Sequence, residues 1–467
     1  MANFEQTKIL LQQAINKADV DYCEVRFEDS RELMIQFQGK VLENVRNTGL
    51  YGGNVRALHK GGWGFANFND LNELEKNIAL ACEQAKAAGE VVNEQSKLAP
   101  VPVVEKDVCP HWTLHPEAVS LNEKIRILEH YHKLVLSYEN IPSAGAYYLE
   151  RCTTLWFANS EGTAIRQEKV DFSASVSANG RKGDVSVNQS VGVGSSAGID
   201  ELLGLDKKII EMCERTQQLL DAEPIKAGVY TVVCDPAHTG LFVHEAFGHL
   251  SEADSLYKDE GFLKAMTIGR VLGKPILNIY DTGDILTGRG ALFYDDEGVE
   301  CKRADLVKEG KLVGRLHSRW SAAMLESEGA VPTGSARGMT YAFPPIVRMR
   351  STCIGPGEST FEDMIKDVEL GVYAVGTGGG GQTNGEMFNF GASYGIMIRN
   401  GKLMELVRDV KLMGNVFTTM ENIDMIGNDQ TICDGPGGCG KDAQGPLPTG
   451  DNCPHIRIQN VIVGGVQ

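Results

Sequence analysis

Residues 147–162, YYLERCTTLWFANSEG, and residues 170–194, VDFSASVSANGRKGDVSVNQSVGVG, decide the fold class. Both alternate apolar with polar or small side chains, the period of strands covered on one face, and predict a meander of antiparallel strands. Outward from this meander, helical windows lie on either side, near 206–221 and in LNEKIRILEHYHKLVLSYEN at 121–140. Together they make a middle α+β unit at 111–222.

A looser version of the same pattern opens the chain. Residues 4–18 repeat apolar side chains at helical spacing (Ile9, Leu10, Ala14, Ile15, Ala18). Residues 22–68 alternate in YCEVRF, LMIQF and GNVRALHKGGWGFANF, with Gly49, Gly52, Gly53, Gly61 and Gly62 expected as turns. LNELEKNIALACEQAKAAG at 71–89 is helix-like, completing an N-terminal α+β unit at 1–110. The polar, proline-containing stretch from about 90 to 118 reads as a linker. No residue-level repeat relates the two units, so a duplicated architecture is only a suggestion. After EPIKAGVYTVVCDP the chain runs in short strand-like segments separated by glycine, predicting a large β-rich C-terminal domain at 223–467. The expected class is α+β: two smaller N-terminal α+β units followed by that domain. The 467 residues exceed what one hydrophobic core usually organises.

Composition excludes some functions. The formal charge of −17 is not relieved by any basic block, so the Lys/Arg footprint that phosphate binding requires is missing and nucleic acid is not an expected partner. MANFEQTKIL lacks a basic segment followed by an apolar one, and no window approaches the roughly 18 apolar residues of a membrane span. The expectation is a cytoplasmic protein that does not enter a membrane. The 11 cysteines, scattered from Cys23 to Cys453, do not form the regular framework of a disulfide-stapled secreted chain.

The chemistry is concentrated in LFVHEAFGHLSEAD at 241–254, where His244 and His249 flank Glu245. Histidines at i,i+4 lie about 40° apart on a helix and can chelate one zinc, whereas at i,i+5 they diverge by about 140°. Both can reach one ion only if the helix widens, kinks or ends between them, which predicts a π-type turn or a break at Phe247–Gly248. Imidazole nitrogens suit zinc, and a catalytic zinc keeps three protein ligands and an open position. Cys439, in CDGPGGCGKDAQGPLPTG, is the candidate third ligand because its flanking glycines let the backbone approach a metal. Glu245 could take a proton from a zinc-activated water and deliver it to a leaving amine. The plain alternative is an amphipathic helix whose histidines are surface or core residues.

Four motifs in order, HEAFGHLSEAD at 244–254, PPIVRMRSTCIGPG at 344–357, VGTGGGGQTNGEMF at 375–388 and GGCGKDAQ at 437–444, resemble the TldD/PmbA family, long labelled as modulators of DNA gyrase. YCEVRFEDS at 22–30, GLYGGNVRALHKGGWGFANFND at 49–70 and FANSEGT at 157–163 extend the resemblance over essentially the whole chain. It implies a TldD-type catalytic subunit, with His244, His249 and Cys439 as zinc ligands and Glu245 as the catalytic carboxylate. It also implies hydrolysis of unfolded or peptide-like substrates, including leader segments of modified peptides. The partner would be an identical chain or a PmbA-type subunit that lacks the metal motif, and the gyrase label would be indirect. The rival reading is a non-catalytic interaction subunit with vestigial histidines.

Other residues carry smaller expectations. Cys433 and Cys453 read as structural thiols, and His455, in an alternating run, as a surface residue. His317 and His238 suggest no function. Glu252 and Asp254 could orient a ligand histidine through its second ring nitrogen or lie on an exposed face. DDEG at 295–298 reads as a turn. GTGGGGQ at 376–382 lacks the Gly-Lys-Ser/Thr ending of a phosphate loop and reads as a loop near the cleft. Arg348 and Arg350 alternate along a strand, the pattern of a solvated face, with orientation of a substrate anion as the alternative.

Overall fold

The N-terminal 200 residues fold around one sheet whose centre is made by two sequence-distant hairpins. In a computed structural model, which describes residues 4–378 and 381–464, β1 (Tyr22–Gly39) and β2 (Val41–His59) form a long hairpin turning at Gly39, whose φ is 64°. β3 (Gly62–Phe68) extends it. The predicted meander consists of β5 (Ser143–Asn159), β6 (Ala164–Lys182) and β7 (Val185–Ser195), with a short β4 (Glu105–Val108) parallel to the start of β6. β1 pairs with β5 from Glu24↔Asn159 to Gly39↔Ala144, so the sheet runs β3-β2-β1-β5-β6 without interruption. The two N-terminal α+β units therefore share one sheet.

Helices cover one face of it, α1 (Phe4–Ile15) and α2 (Leu74–Gly89) over one half, α3 (Leu121–Leu136) and α4 (Asp206–Leu220) over the other. Odd positions of β1 supply this core: Val25 and Phe27 pack with Ile78 and Ala81, while Ile35 and Phe37 pack with Leu128 and Ile209. Even positions of β1 point the other way. There Arg26, Glu28 and Ser30 are also buried, because the C-terminal domain lies over that face. The buried charges are paired: Arg56 with Glu24 at 2.6 Å and with Glu297 at 2.8 Å, and Arg26 with Glu28 at 3.0 Å. DDEG is the expected turn, with Gly298 at φ 75°, but a buried one that joins the domains through Glu297 and Asp296, while the Asp295 carboxylate holds the turn by accepting the N–H groups of Glu297 and Ala336.

Two expectations need correction. Gly49, Gly52 and Gly53 lie inside β2 and do not make turns. A Cβ at Gly52 would stand 2.6 Å from both the Tyr341 ring and the Phe68 carbonyl oxygen, so glycine there serves a close approach. The stretch from about 90 to 118 is strapped to the body of the protein. Ala99 N–H donates to the Arg319 carbonyl at 2.9 Å, β4 joins the sheet, and Thr113 N–H donates to the Ala197 carbonyl at 2.8 Å. Its partners are distant in sequence, which is why its composition resembles that of a free linker.

The C-terminal domain is strand-rich, as expected. In its ten-stranded sheet, Gly228–Cys234 is flanked by Leu370–Val375 in parallel and Ile456–Gly464 antiparallel. A second sheet places Ser351–Ile354 between Ile279–Thr282 and Gly450–Cys453. The segment carrying His244 and His249 leaves the first sheet directly after Cys234 and is packed on the apolar core through Phe242, Val243 and Phe247. Gly381–Asn384 is the terminal strand of the ten-stranded sheet among the described residues.

Candidate metal centre

Asp235 caps the helix Pro236–Phe242, accepting the His238 N–H at 2.8 Å, and Pro236 occupies the first turn, where its missing N–H costs nothing. From Val243 to Gly248 the helix widens into a π turn, and the His249 N–H donates to the carbonyl of His244, five residues back. This is the distortion that the i,i+5 spacing predicts. It sets the two imidazoles 5.4 Å apart between centroids, with planes at 89°.

Gly248 owes its place to packing and not to backbone freedom. Its φ of −56° and ψ of −50° are ordinary helical values, so no special backbone freedom is needed. A Cβ there would lie 2.1 Å from the Met349 sulfur. Gly248→Ala is therefore expected to destabilise the protein by about 1–3 kcal/mol through overpacking, with Gly248→Ala/Met349→Ala losing less than the sum of the two single variants. Chemical denaturation of the four proteins checks this; additive losses would contradict it.

Cys439 arrives from the short hairpin formed by Cys439–Lys441 and Gln444–Leu447. Arg348, fully buried, donates to the carbonyls of Cys439 and Gln444 and pins that hairpin. One ligand-capable atom from each of His244, His249 and Cys439 lies within 4.8 Å of the other two, and Cys439 Sγ is 3.3 Å from His249 Nε2. Bonds of about 2.1 Å to nitrogen and about 2.3 Å to sulfur give tetrahedral edges of roughly 3.5 Å, so the set fits a zinc-sized ion. Burial alone would push the Cys439 thiol up, but hydrogen bonds and charge from His244 and His249 outweigh it and hold its pKa at about 4, in the thiolate form that a metal requires. Burial opposes charge on His249 too, yet Cys439 and Glu252 raise it to about 10.

The other ring nitrogen of His249, Nδ1, lies 3.1 Å from Glu252 Oε2. Glu252 is almost completely buried and is also 3.3 Å from the Lys441 ammonium, which pairs with Asp254 at 2.6 Å. Of the two carboxylates considered for orienting a ligand, Glu252 stands against the histidine and Asp254 braces the lysine. Lys441 was within reach of sequence reasoning, since strand alternation puts it on the same side as Cys439, but Arg348 was not.

Glu245 lines a cavity of about 670 Å³ with His249, Glu252, Lys441 and the edge strand, including Gly381, Thr383 and Asn384. A Cβ at Gly381 would come within 3.2 Å of Glu245 Cγ, so part of the glycine run approaches the cleft as expected, while its residues 379 and 380 lie outside the described residues.

The remaining candidates stay apart from this group. Cys433 is half-buried, its thiol pushed up to about 12 by burial, and Cys453 is buried, accepting the Ile354 N–H at 3.4 Å. His455 is no free surface residue: it is held between the Tyr373 hydroxyl at 2.9 Å and the Asp429 carboxylate. His317 is buried against Ser321, its pKa lowered to about 4 by burial and by Arg315. His238 is fully buried and its Nδ1–H donates to the Gly376 carbonyl at 2.9 Å. Arg350 is buried and paired with Asp281 at 2.7 Å. Neither it nor Arg348 lines a solvated face or reaches the cavity beside Glu245.

Three family models match in order: PmbA/TldA metallopeptidase domain 1 over residues 23–89, the central domain over 114–220 and the C-terminal domain over 227–465. A metalloprotease of Synechocystis is 39% identical, with 99% of each chain covered. The chain belongs to the PmbA/TldD metallopeptidase family. A zinc metalloprotease TldD homolog of Saccharolobus solfataricus is 27% identical over 97% of this chain and 99% of its own length. Among solved structures, a Thermotoga maritima protein described as a candidate modulator of a DNA gyrase superposes with a TM-score of 0.80 at 20% identity, covering 99% of this chain and 100% of that one. TldE from Thermococcus kodakarensis gives 0.77 at 18% identity, covering 98% and 100%. Those two likenesses are of fold. For this PmbA/TldD chain, no helix among the described residues is long and apolar enough to cross a membrane.

Proposed function

We propose that this chain is a zinc-dependent metallopeptidase that hydrolyses unfolded or peptide-like substrates, with zinc held by His244, His249 and Cys439 and with Glu245 as general base. The observation that carries the reading is the convergence of those three side chains within 4.8 Å beside a cavity that Glu245 also lines. Bound there, zinc would supply a Lewis acid that polarises the scissile carbonyl and makes a neighbouring water more acidic.

The protein supplies the rest. Glu245 removes the water's proton and returns it to the departing amine. Glu252 orients His249 and favours the tautomer with Nε2 free to ligate, and Lys441 keeps the charge of Glu252 balanced. The edge strand Gly381–Asn384, lining the cavity, offers unpaired backbone groups to an extended peptide, a recognition mode that depends little on side-chain sequence and suits unfolded substrates. None of the 11 cysteines is in a disulfide, which suits the reducing cytoplasm. Assembly as a homodimer, or with a PmbA-type subunit, belongs to the same reading and is supported by the fold shared with a TldE protein.

Mass spectrometry of an unstructured peptide incubated with the protein, alone and together with a PmbA-type subunit, tests the function. New termini should appear, vanish after the metal is removed by a chelator and return when zinc is restored. Cleavage that survives chelation would overturn the metallopeptidase reading.

A further inference from the structure

Away from the metal, a second cavity of about 340 Å³ lies where the polar face of the N-terminal sheet meets the C-terminal domain, and it shares no lining residue with the cavity beside His249. Its wall carries Arg26, Arg151, Lys169, Arg289 and Arg337 against Glu28, Glu32 and Asp171. Three of the cations are matched. Arg289 grips Asp171 through two hydrogen bonds of 2.8 and 2.9 Å. Arg26 pairs with Glu28 at 3.0 Å and with Asp296, behind it, at 3.4 Å. Arg151 pairs with Glu32 at 2.6 Å, although Glu32 is shared with Arg46 at 2.9 Å.

Two cations have no carboxylate within ion-pair distance among the described residues. Buried Arg337 donates, among those residues, to the carbonyls of Met349 and Pro448. The Lys169 ammonium, on the β6 position opposite Thr153, has no hydrogen bond or ion pair among the described residues. Burial lowers the pKa of Lys169; Asp296 and Glu28 oppose this, while Arg26 and Arg337 add to it. Counting Asp296, the cations still exceed the carboxylates. Arg337 is buried and Lys169 half-buried, and a charge short of a partner in such a place is costly unless something of opposite sign joins it. The surroundings also provide neutral donors for such a partner, since Ser30, Thr48, Thr153 and Thr340 line the same space.

We infer that this interdomain cavity is a binding site for a small oxyanion, a carboxylate or a phosphate, held by the Lys169 ammonium and the Arg337 guanidinium. Its volume is that of a small-metabolite pocket rather than of a polypeptide groove. Its walls come from β1, β5 and β6 on one side and residues 337–340 and 447–448 on the other, so an anion there would tie the domains together. Leu447 pairs with Cys439 in the hairpin that carries that ligand, and Pro448 follows directly on it.

Calorimetric titration of inorganic phosphate, and separately of succinate, into the full-length zinc-loaded protein tests the site and separates the two sources of oxyanion. At least one of them should bind saturably. Lys169→Met should weaken that binding at least tenfold, Lys169→Arg should largely retain it, and His244→Ala should leave it intact because the metal is not involved. Lys169→Met should also melt no lower than the wild type in anion-free buffer, as expected for removal of an unpaired charge. The proposal is overturned if neither anion binds the wild type, if Lys169→Met binds as well as the wild type, or if His244→Ala abolishes binding, which would place the anion on the metal.

Discussion

Glu245→Gln should keep its full complement of zinc and lose peptide hydrolysis by about 10²- to 10⁴-fold, the range expected when a positioned general base is removed. The substitution is nearly isosteric and removes only the ability to take a proton. Glu245 makes no hydrogen bond or ion pair among the described residues, lies outside the ligand group, and faces the cavity where the substrate would sit. Nothing structural is lost with its charge. Metal analysis and turnover measured on the same preparation check the prediction, and hydrolysis within a few-fold of the wild type would remove Glu245 from the mechanism.

Cys439→Ala is expected to weaken zinc binding by at least about 100-fold, since zinc sites worth about 10–16 kcal/mol over four ligands assign roughly 3 kcal/mol to each. Hydrolysis should fall with metal occupancy. The reason to trust this variant as a probe of the metal is that the hairpin is pinned through main-chain carbonyls: Arg348 donates to the oxygens of Cys439 and Gln444. Those bonds do not use the thiol, so the loop should hold its place when the sulfur is gone. Competition with a chromophoric chelator gives the affinity. Unchanged affinity in Cys439→Ala would leave the two histidines as the only protein ligands and undo the three-ligand site.

The parts of the molecule that were legible in the sequence are those whose pattern is local. Helical periods placed α1 to α4 within a few residues of their observed ends, and alternation found the long strands of the N-terminal sheet but not β4. The wide i,i+5 spacing of His244 and His249 demanded a distorted helix, and a π turn is what the chain forms between Val243 and Gly248. What stayed hidden depends on partners far away in sequence. Alternation in β1 shows that one face is apolar, but not that β5 lies alongside it or that the C-terminal domain buries the charged face. Arg348 and Arg350 look solvated until the carbonyl of Cys439 and the carboxylate of Asp281 are seen beside them. Gly52 reads as a turn because the ring of Tyr341 that excludes a side chain there is nearly 300 residues away.

The same distinction explains the site. His244, Glu245 and His249 share one turn of chain and could be read together from their spacing, whereas Cys439 was reached only through its glycine-rich setting. Glu252 was a candidate because it follows the motif closely, and its approach to His249 Nδ1 matches what a metal-binding imidazole usually requires of its second nitrogen. Arg348 could not be assigned, because a residue that acts by holding another chain segment leaves no local signature.

X-ray absorption at the zinc edge of the zinc-loaded protein tests the central claim most directly. The account predicts a shell containing one sulfur at about 2.3 Å and two imidazole nitrogens at about 2.0–2.1 Å, with the sulfur lost in Cys439→Ala. A first shell of nitrogen and oxygen alone in the wild-type protein would contradict it.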